Sequence, residues 1–117
     1  MKISIVVSLQ VEGVHCWPDC PIDEVSFLKD PHRHIFHIRC WKMVEHADRD
    51  IEIIQLQHDI VHYLRSYYYV VGDRYNYRTH NFESRSCEMI AMELIKRFNL
   101  SKCEVLEDGE NGALVEI

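Results

Sequence analysis

A chain of 117 residues with 47% apolar side chains is enough for one domain, residues 1–117, with a core of its own. Its 13 Lys and Arg against 19 Asp and Glu leave a formal charge of −6, which argues against a broad electrostatic grip on DNA or RNA and leaves room only for a local anion site. No apolar run reaches the roughly 18 residues of a membrane helix, and Lys2 leads into a short alternating segment rather than a signal-peptide core. The expectation is a cytoplasmic protein with no membrane and no nucleic-acid partner.

Residues 2 to 10 alternate, with Ile3, Ile5, Val7 and Leu9 on one face, and predict a half-buried strand. From Val11 to Pro31 the chain carries Gly13, three prolines and scattered charge, which predicts a long loop with one helical turn near Asp23 to Leu28. Loops of that length in small domains usually carry function. Five cysteines, an odd number without a secretory signal, do not make a disulfide framework. Cys40, Cys87 and Cys103 fall on apolar faces and read as packing residues, whereas Cys16 and Cys20 flank Trp17-Pro18-Asp19 in the loop.

The second strand, from about His32 to Glu45, opens with Pro31-His32-Arg33-His34. Alternation puts His32 and His34 on one side, about 7 Å apart along the strand, and the same face continues through Phe36, Ile38 and Cys40. His15 lies shortly upstream. Three neutral imidazoles leave a zinc ion one open position, the pattern of a catalytic site. The competing readings are three surface histidines, or a structural zinc closed by Cys16 or Cys20.

After the polar turn from His46 to Asp50, apolar residues at helical spacing from Ile53 to Tyr67 predict an amphipathic helix over 53–66. His58 and His62 lie one turn apart on it and are assigned to its solvated face. Tyr67 to Phe82 contains six aromatics with Arg74, Arg78 and His80, and two β-prone runs around Gly72-Asp73 predict a hairpin. With Arg85, this stretch suits either a base and its phosphates or an oligomer interface, and the interface is preferred. Cys87, Ile90, Ala91, Leu94, Ile95 and Phe98 predict a second helix stopped at Asn99, with Ser84, Ser86 or Asn81 as cap. Two strands, Lys102 to Glu107 and Ala113 to Ile117, flank a turn containing Asp108-Gly109 and Asn111-Gly112.

The order strand, strand, helix, helix, strand, strand resembles the tetrahydropterin synthase branch of the tunnelling-fold (T-fold) superfamily, which includes the 6-pyruvoyl and 6-carboxy tetrahydropterin synthases. The resemblance covers nearly the whole chain and rests on four features. These are His15 after the first strand, His32-Arg33-His34 in place of His-Gly-His, Ser86-Cys87-Glu88-Met89-Ile90-Ala91 opening the second helix, and Val105-Leu106-Glu107 before the last turn. It implies an α+β fold with a four-stranded antiparallel sheet and two helices on one face, here with the inserted hairpin. It also implies Zn2+ on His15, His32 and His34, and a homo-oligomer, trimer or hexamer, with its pockets between subunits. Glu107 would anchor a pterin- or purine-type ring, because a carboxylate accepts two parallel bonds from a 2-amino-N3–H edge. Glu110 is its nearest competitor.

The chain departs from the synthases where chemistry is done. Leu28 stands four residues before the His-x-His, where the family carries its catalytic cysteine, and the Asp-His relay gives way to the Tyr-rich stretch. If the chain were an enzyme, a tetrahydropterin synthase-like lyase, Cys20, Cys16 or His80 would have to supply the lost acid–base group. The alternative is a non-catalytic protein that sequesters a host nucleotide signal, with Arg74, Arg78 or Arg85 on its phosphates. Small phage-borne proteins of unknown role also look similar around His46 to Asp50 and Glu107 to Ala113.

Overall fold

The structure, a computed structural model, describes residues 1–72 and 78–117. Strands β1 (Ile3–His15) and β2 (His32–Val44) are joined by a loop containing a short 3₁₀ segment, Asp23–Lys29. Helix α1 (Ile53–Tyr68), strands β3 (Tyr69–Val71) and β4 (Arg78–Glu83), helix α2 (Cys87–Phe98), and strands β5 (Lys102–Glu107) and β6 (Asn111–Glu116) complete the fold. The α+β expectation holds.

The sheet differs from the expected one. Among the described residues it has six strands in the order β3-β4-β1-β2-β5-β6, not four. The two strands of the predicted hairpin pair antiparallel, with Tyr69 opposite His80, and extend the sheet instead of standing apart, whereas the turn expected at Gly72-Asp73 falls partly outside the described residues. β4 lies parallel to β1, pairing Gly13 with His80 and Val14 with Asn81, so the sheet is mixed. β1 also runs five residues beyond the predicted end at Gln10, because β2 pairs with it over its whole length, from Ile3 against Val44 to His15 against His32. Gly13 permits the packing there: a Cβ on it would lie 2.6 Å from the Phe82 ring and 2.8 Å from that of Phe36.

Both helices cover the same face. Val7, Leu9 and Val11 of β1, Phe36, Ile38 and Cys40 of β2, and Cys103 and Val105 of β5 form one core with the helices. Leu56, Ile60, Leu64 and Tyr68 enter it from α1 at four-residue spacing, and Cys87, Ile90, Ala91, Leu94 and Ile95 enter it from α2. α1 lies over β1, β3 and β4, and α2 over β5 and β6. Glu52 caps the first helix through the Gln55 N–H and Ser86 caps the second through the Met89 N–H, each satisfying a donor that the helix leaves free. Lys42 donates to the Phe98 and Asn99 carbonyls at the other end of α2, where the helix dipole favours a cation. The two helices are tied together by Glu93, whose carboxylate accepts from the hydroxyls of Tyr63 and Tyr68.

Among the described residues no helix is long and apolar enough to cross a membrane.

Candidate metal centre

The β1–β2 register builds the centre. His15 closes β1 directly opposite His32, and His34, two residues along β2, lies opposite Gly13. All three side chains take the helix-covered face, and the place of a side chain at Gly13 between them is taken by the Phe36 and Phe82 rings. The ring centroids form a triangle of 4.6, 5.0 and 5.4 Å. Beneath it Phe36 meets the rings of His15 and His34 edge-on.

Each ring is held by its outer nitrogen. His15 Nδ1 donates to the Arg85 carbonyl at 2.8 Å, and His32 Nδ1 to the Asp30 carbonyl at 2.9 Å. A carbonyl can only accept, so the proton of each of these two rings sits on Nδ1 and the Nε2 lone pair faces inward. His34 Nδ1 lies 2.8 Å from Asp108 Oδ2, whose other oxygen accepts the Ile35 N–H at 2.9 Å. These two bonds, that from His34 first, hold the Asp108 carboxyl below the ordinary carboxylate range. Asp108 can take this position because its backbone is left-handed, φ 56°, at the start of the β5–β6 turn, and Gly109 follows at φ 72°. The Arg85 carbonyl is delivered by a bulge: His15 pairs with Glu83 rather than Phe82, and the chain turns immediately into α2. Arg85 is itself fixed by Glu93, 3.4 Å from its Nε, and by the Tyr68 ring, 4.9 Å away.

The inner nitrogens have no such partner. Nε2 of His15, His32 and His34 are all buried without a hydrogen bond among the described residues. Glu107, at the end of β5, brings Oε2 to 2.9 Å from His15 Nε2 and 3.6 Å from His34 Nε2. An ion pair there would need a second proton on His15, and burial, the largest influence on that ring, lowers its pKa. With His15 neutral, a lone pair faces a carboxylate oxygen with no proton between them. A cation at that point resolves the contact, and it satisfies the orphaned nitrogens as well. The four donor atoms lie within 4.8 Å of one another, so this cluster can hold a metal ion. The outer hydrogen bonds are the supports that ligating histidines require.

A cavity of about 480 Å³ opens beside the cluster, lined by His15, His32 and Glu107 on one side and by Trp17, Leu28 and the start of α2 on the other. Cys16 and Cys87 also reach it. Burial pushes the Cys87 thiol up to about 12, so it stays protonated at neutral pH.

The structure therefore brings His15, His32, His34 and Glu107 together, with Arg85 beside the same cavity, and places Cys20, His80, Arg78 and Glu110 elsewhere. Cys20 is buried, with its thiol facing the Ile22 and Val25 carbonyls, outside this cavity. His80 stacks on Phe82 and donates Nδ1 to the Glu12 carbonyl, and it lines a separate cavity with Arg78, at the β1–β4 edge. Glu110 is exposed in the turn, where its backbone N–H donates to the Glu107 carbonyl. Arg85 lines the cavity but commits its guanidinium to Glu93 and Tyr68. Arg74 lies outside the described residues. His58 and His62 are exposed on α1, as expected. All five cysteines are free, and those expected to pack, Cys40, Cys87 and Cys103, are buried.

Asp108, Asp30 and Arg85 were not expected as supports for the ligand set. Two of them act through backbone carbonyls, which any residue type supplies, so their identity carries no signal. Asp108 left one clue, an acidic residue in a tight turn directly after Glu107. No protein-family model matches the chain, and no match is found among curated proteins.

Proposed function

We propose that the chain is a zinc-centred binding protein that holds a pterin- or purine-type ring in the cavity beside His15, His32, His34 and Glu107. The observation that carries this reading is the convergence of three buried, unpartnered Nε2 atoms on one carboxylate beside a cavity of about 480 Å³. Imidazole nitrogens with one carboxylate suit zinc, and a cavity of this size suits a small planar ligand. Trp17 offers a ring to stack on, and the Glu107 carboxylate can accept a pair of parallel N–H donors. The T-fold reading rests on strands β1, β2, β5 and β6 with two helices on one face, and the six-stranded mixed sheet departs from its four-stranded form.

When bound, zinc would polarise oxygens of the ligand and acidify adjacent protons. The residues around it favour retention over turnover. Leu28 lines the cavity at the position where the synthases carry their cysteine, and His80 and Cys20 lie outside it. A protein of this kind, keeping the pocket without the relay, would act by tight binding and slow release, as in sequestering a nucleotide signal. Val6, Met43 and Leu114 are exposed on the sheet face away from the helices, a surface open to self-association; the trimer or hexamer is proposed from the resemblance alone.

The test is to purify the native protein, measure zinc per chain, and identify any small molecule released on denaturation. About one zinc per chain and a ring-bearing molecule returned unchanged is the expected result. Turnover of dihydroneopterin triphosphate would replace the binding reading with an enzymatic one. Absence of metal, together with a His32→Ala variant unaltered in stability and ligand retention, would defeat both.

A further inference from the structure

The four members of the cluster are not held alike. His15, His32 and His34 are each fixed at Nδ1 by an acceptor, at 2.8, 2.9 and 2.8 Å. Glu107 has no comparable support: among the described residues the polar contacts of its carboxylate are with His15 and His34 alone. Its side chain keeps 29% of its exposure, against 10% for that of His15. It also lines the cavity, so it stands on the boundary between the cluster and the space for a ligand.

Resting on the metal reading above, we infer that Glu107 is a fourth and displaceable metal ligand, closing the centre until an oxygen or nitrogen donor of a bound molecule takes its place. Three locked imidazoles retain the ion, and the one unsupported carboxylate yields. The open position expected from the histidines alone is occupied by a residue of the chain. A carboxylate released in this way turns into the same cavity and becomes available to the N–H groups of the incoming molecule. Ligand binding and Glu107 coordination are then mutually exclusive, and each weakens the other by the same factor.

Cobalt(II) in place of zinc gives the centre a visible spectrum, and azide serves as a small donor probe. The wild-type chain, Glu107→Ala and Glu107→Gln are titrated with cobalt(II), then with azide, with circular dichroism recorded throughout. Cobalt is expected to bind Glu107→Ala at least about tenfold more weakly than the wild type. Azide should change the spectrum of the variant at concentrations that leave the wild type unaltered. Glu107→Gln keeps the side-chain shape and carries the same comparison should the alanine variant not fold. Equal cobalt affinity with and without the carboxylate would overturn the inference while leaving the metal reading intact, as would equal azide sensitivity of wild type and variant. Failure of the wild type to take up cobalt or zinc would remove both.

Discussion

Asp108 and His34 are separated by 73 residues of chain and joined by a 2.8 Å hydrogen bond, and the same carboxylate also takes the Ile35 N–H. One side chain thus fixes the orientation of a candidate ligand and pins the β5–β6 turn to β2. Asp108→Ala should weaken metal binding by about 10- to 100-fold through loss of this support. Calorimetric titration with zinc checks it, and an unchanged dissociation constant would show that His34 needs no help from Asp108.

Metal should stabilise the fold, since the ligands come from β1, β2 and β5, far apart in sequence. At a free zinc concentration about 100 times the dissociation constant the gain is about 2.7 kcal/mol. His32→Ala should abolish the increase in Tm, whereas His58→Ala and His62→Ala, on the exposed face of α1, should keep it. A zinc-dependent shift surviving in His32→Ala would place the ion elsewhere.

Gly13 is expected to tolerate no side chain. A Cβ there would press into Phe82 and Phe36, both fully buried, and overpacking of this kind costs about 1–3 kcal/mol. Gly13→Ala should lower the denaturation midpoint accordingly, and Phe82→Leu in the same chain should recover part of the loss, because the two sites share one space. Additive effects of the two changes would contradict the packing described.

Cys103 and Cys40 face each other across β5 and β2, with sulfurs 3.9 Å apart and no exposure. The Cys40 thiol and burial both push the Cys103 pKa well above the ordinary value, so the folded chain keeps this thiol protonated while the unfolded chain ionises it. Its contribution to stability is complete below the unfolded pKa of about 8.5 and declines as pH rises beyond it, by at most about 1.4 kcal/mol per pH unit. Denaturation midpoints at pH 8 and pH 10 should therefore fall more for wild type than for Cys103→Ala. Identical slopes would show that the thiol does not contribute to alkaline loss. Under native conditions the half-buried Cys16 should react with iodoacetamide before either of this pair.

Much of this architecture follows from local pattern. Two-residue alternation in β2 and the apolar stripes of α1 and α2 place their elements to within a few residues, alternation in β1 finds the strand but not its last five residues, and the Ser86 cap starts α2 as its sequence suggests. The expected ligand triad is also local in origin: His32 and His34 share a face because strands alternate, and His15 is near because β1 leads towards β2. Only tertiary structure decided the rest. Periodicity tells which face a residue takes but not which strand lies beside it, so the parallel pairing of β4 with β1 and the departure of His80 from the site were not legible. The same limit hid the place of Glu107 in the histidine cluster. Its place on β5 was readable, but whether its carboxylate turned towards a ring or towards His15 depended on the β2–β5 register, on Asp108 pinning the turn, and on carbonyls of Asp30 and Arg85 that orient the imidazoles. Those contacts join segments that lie up to 74 residues apart, and their free energy exists only once the chain has closed.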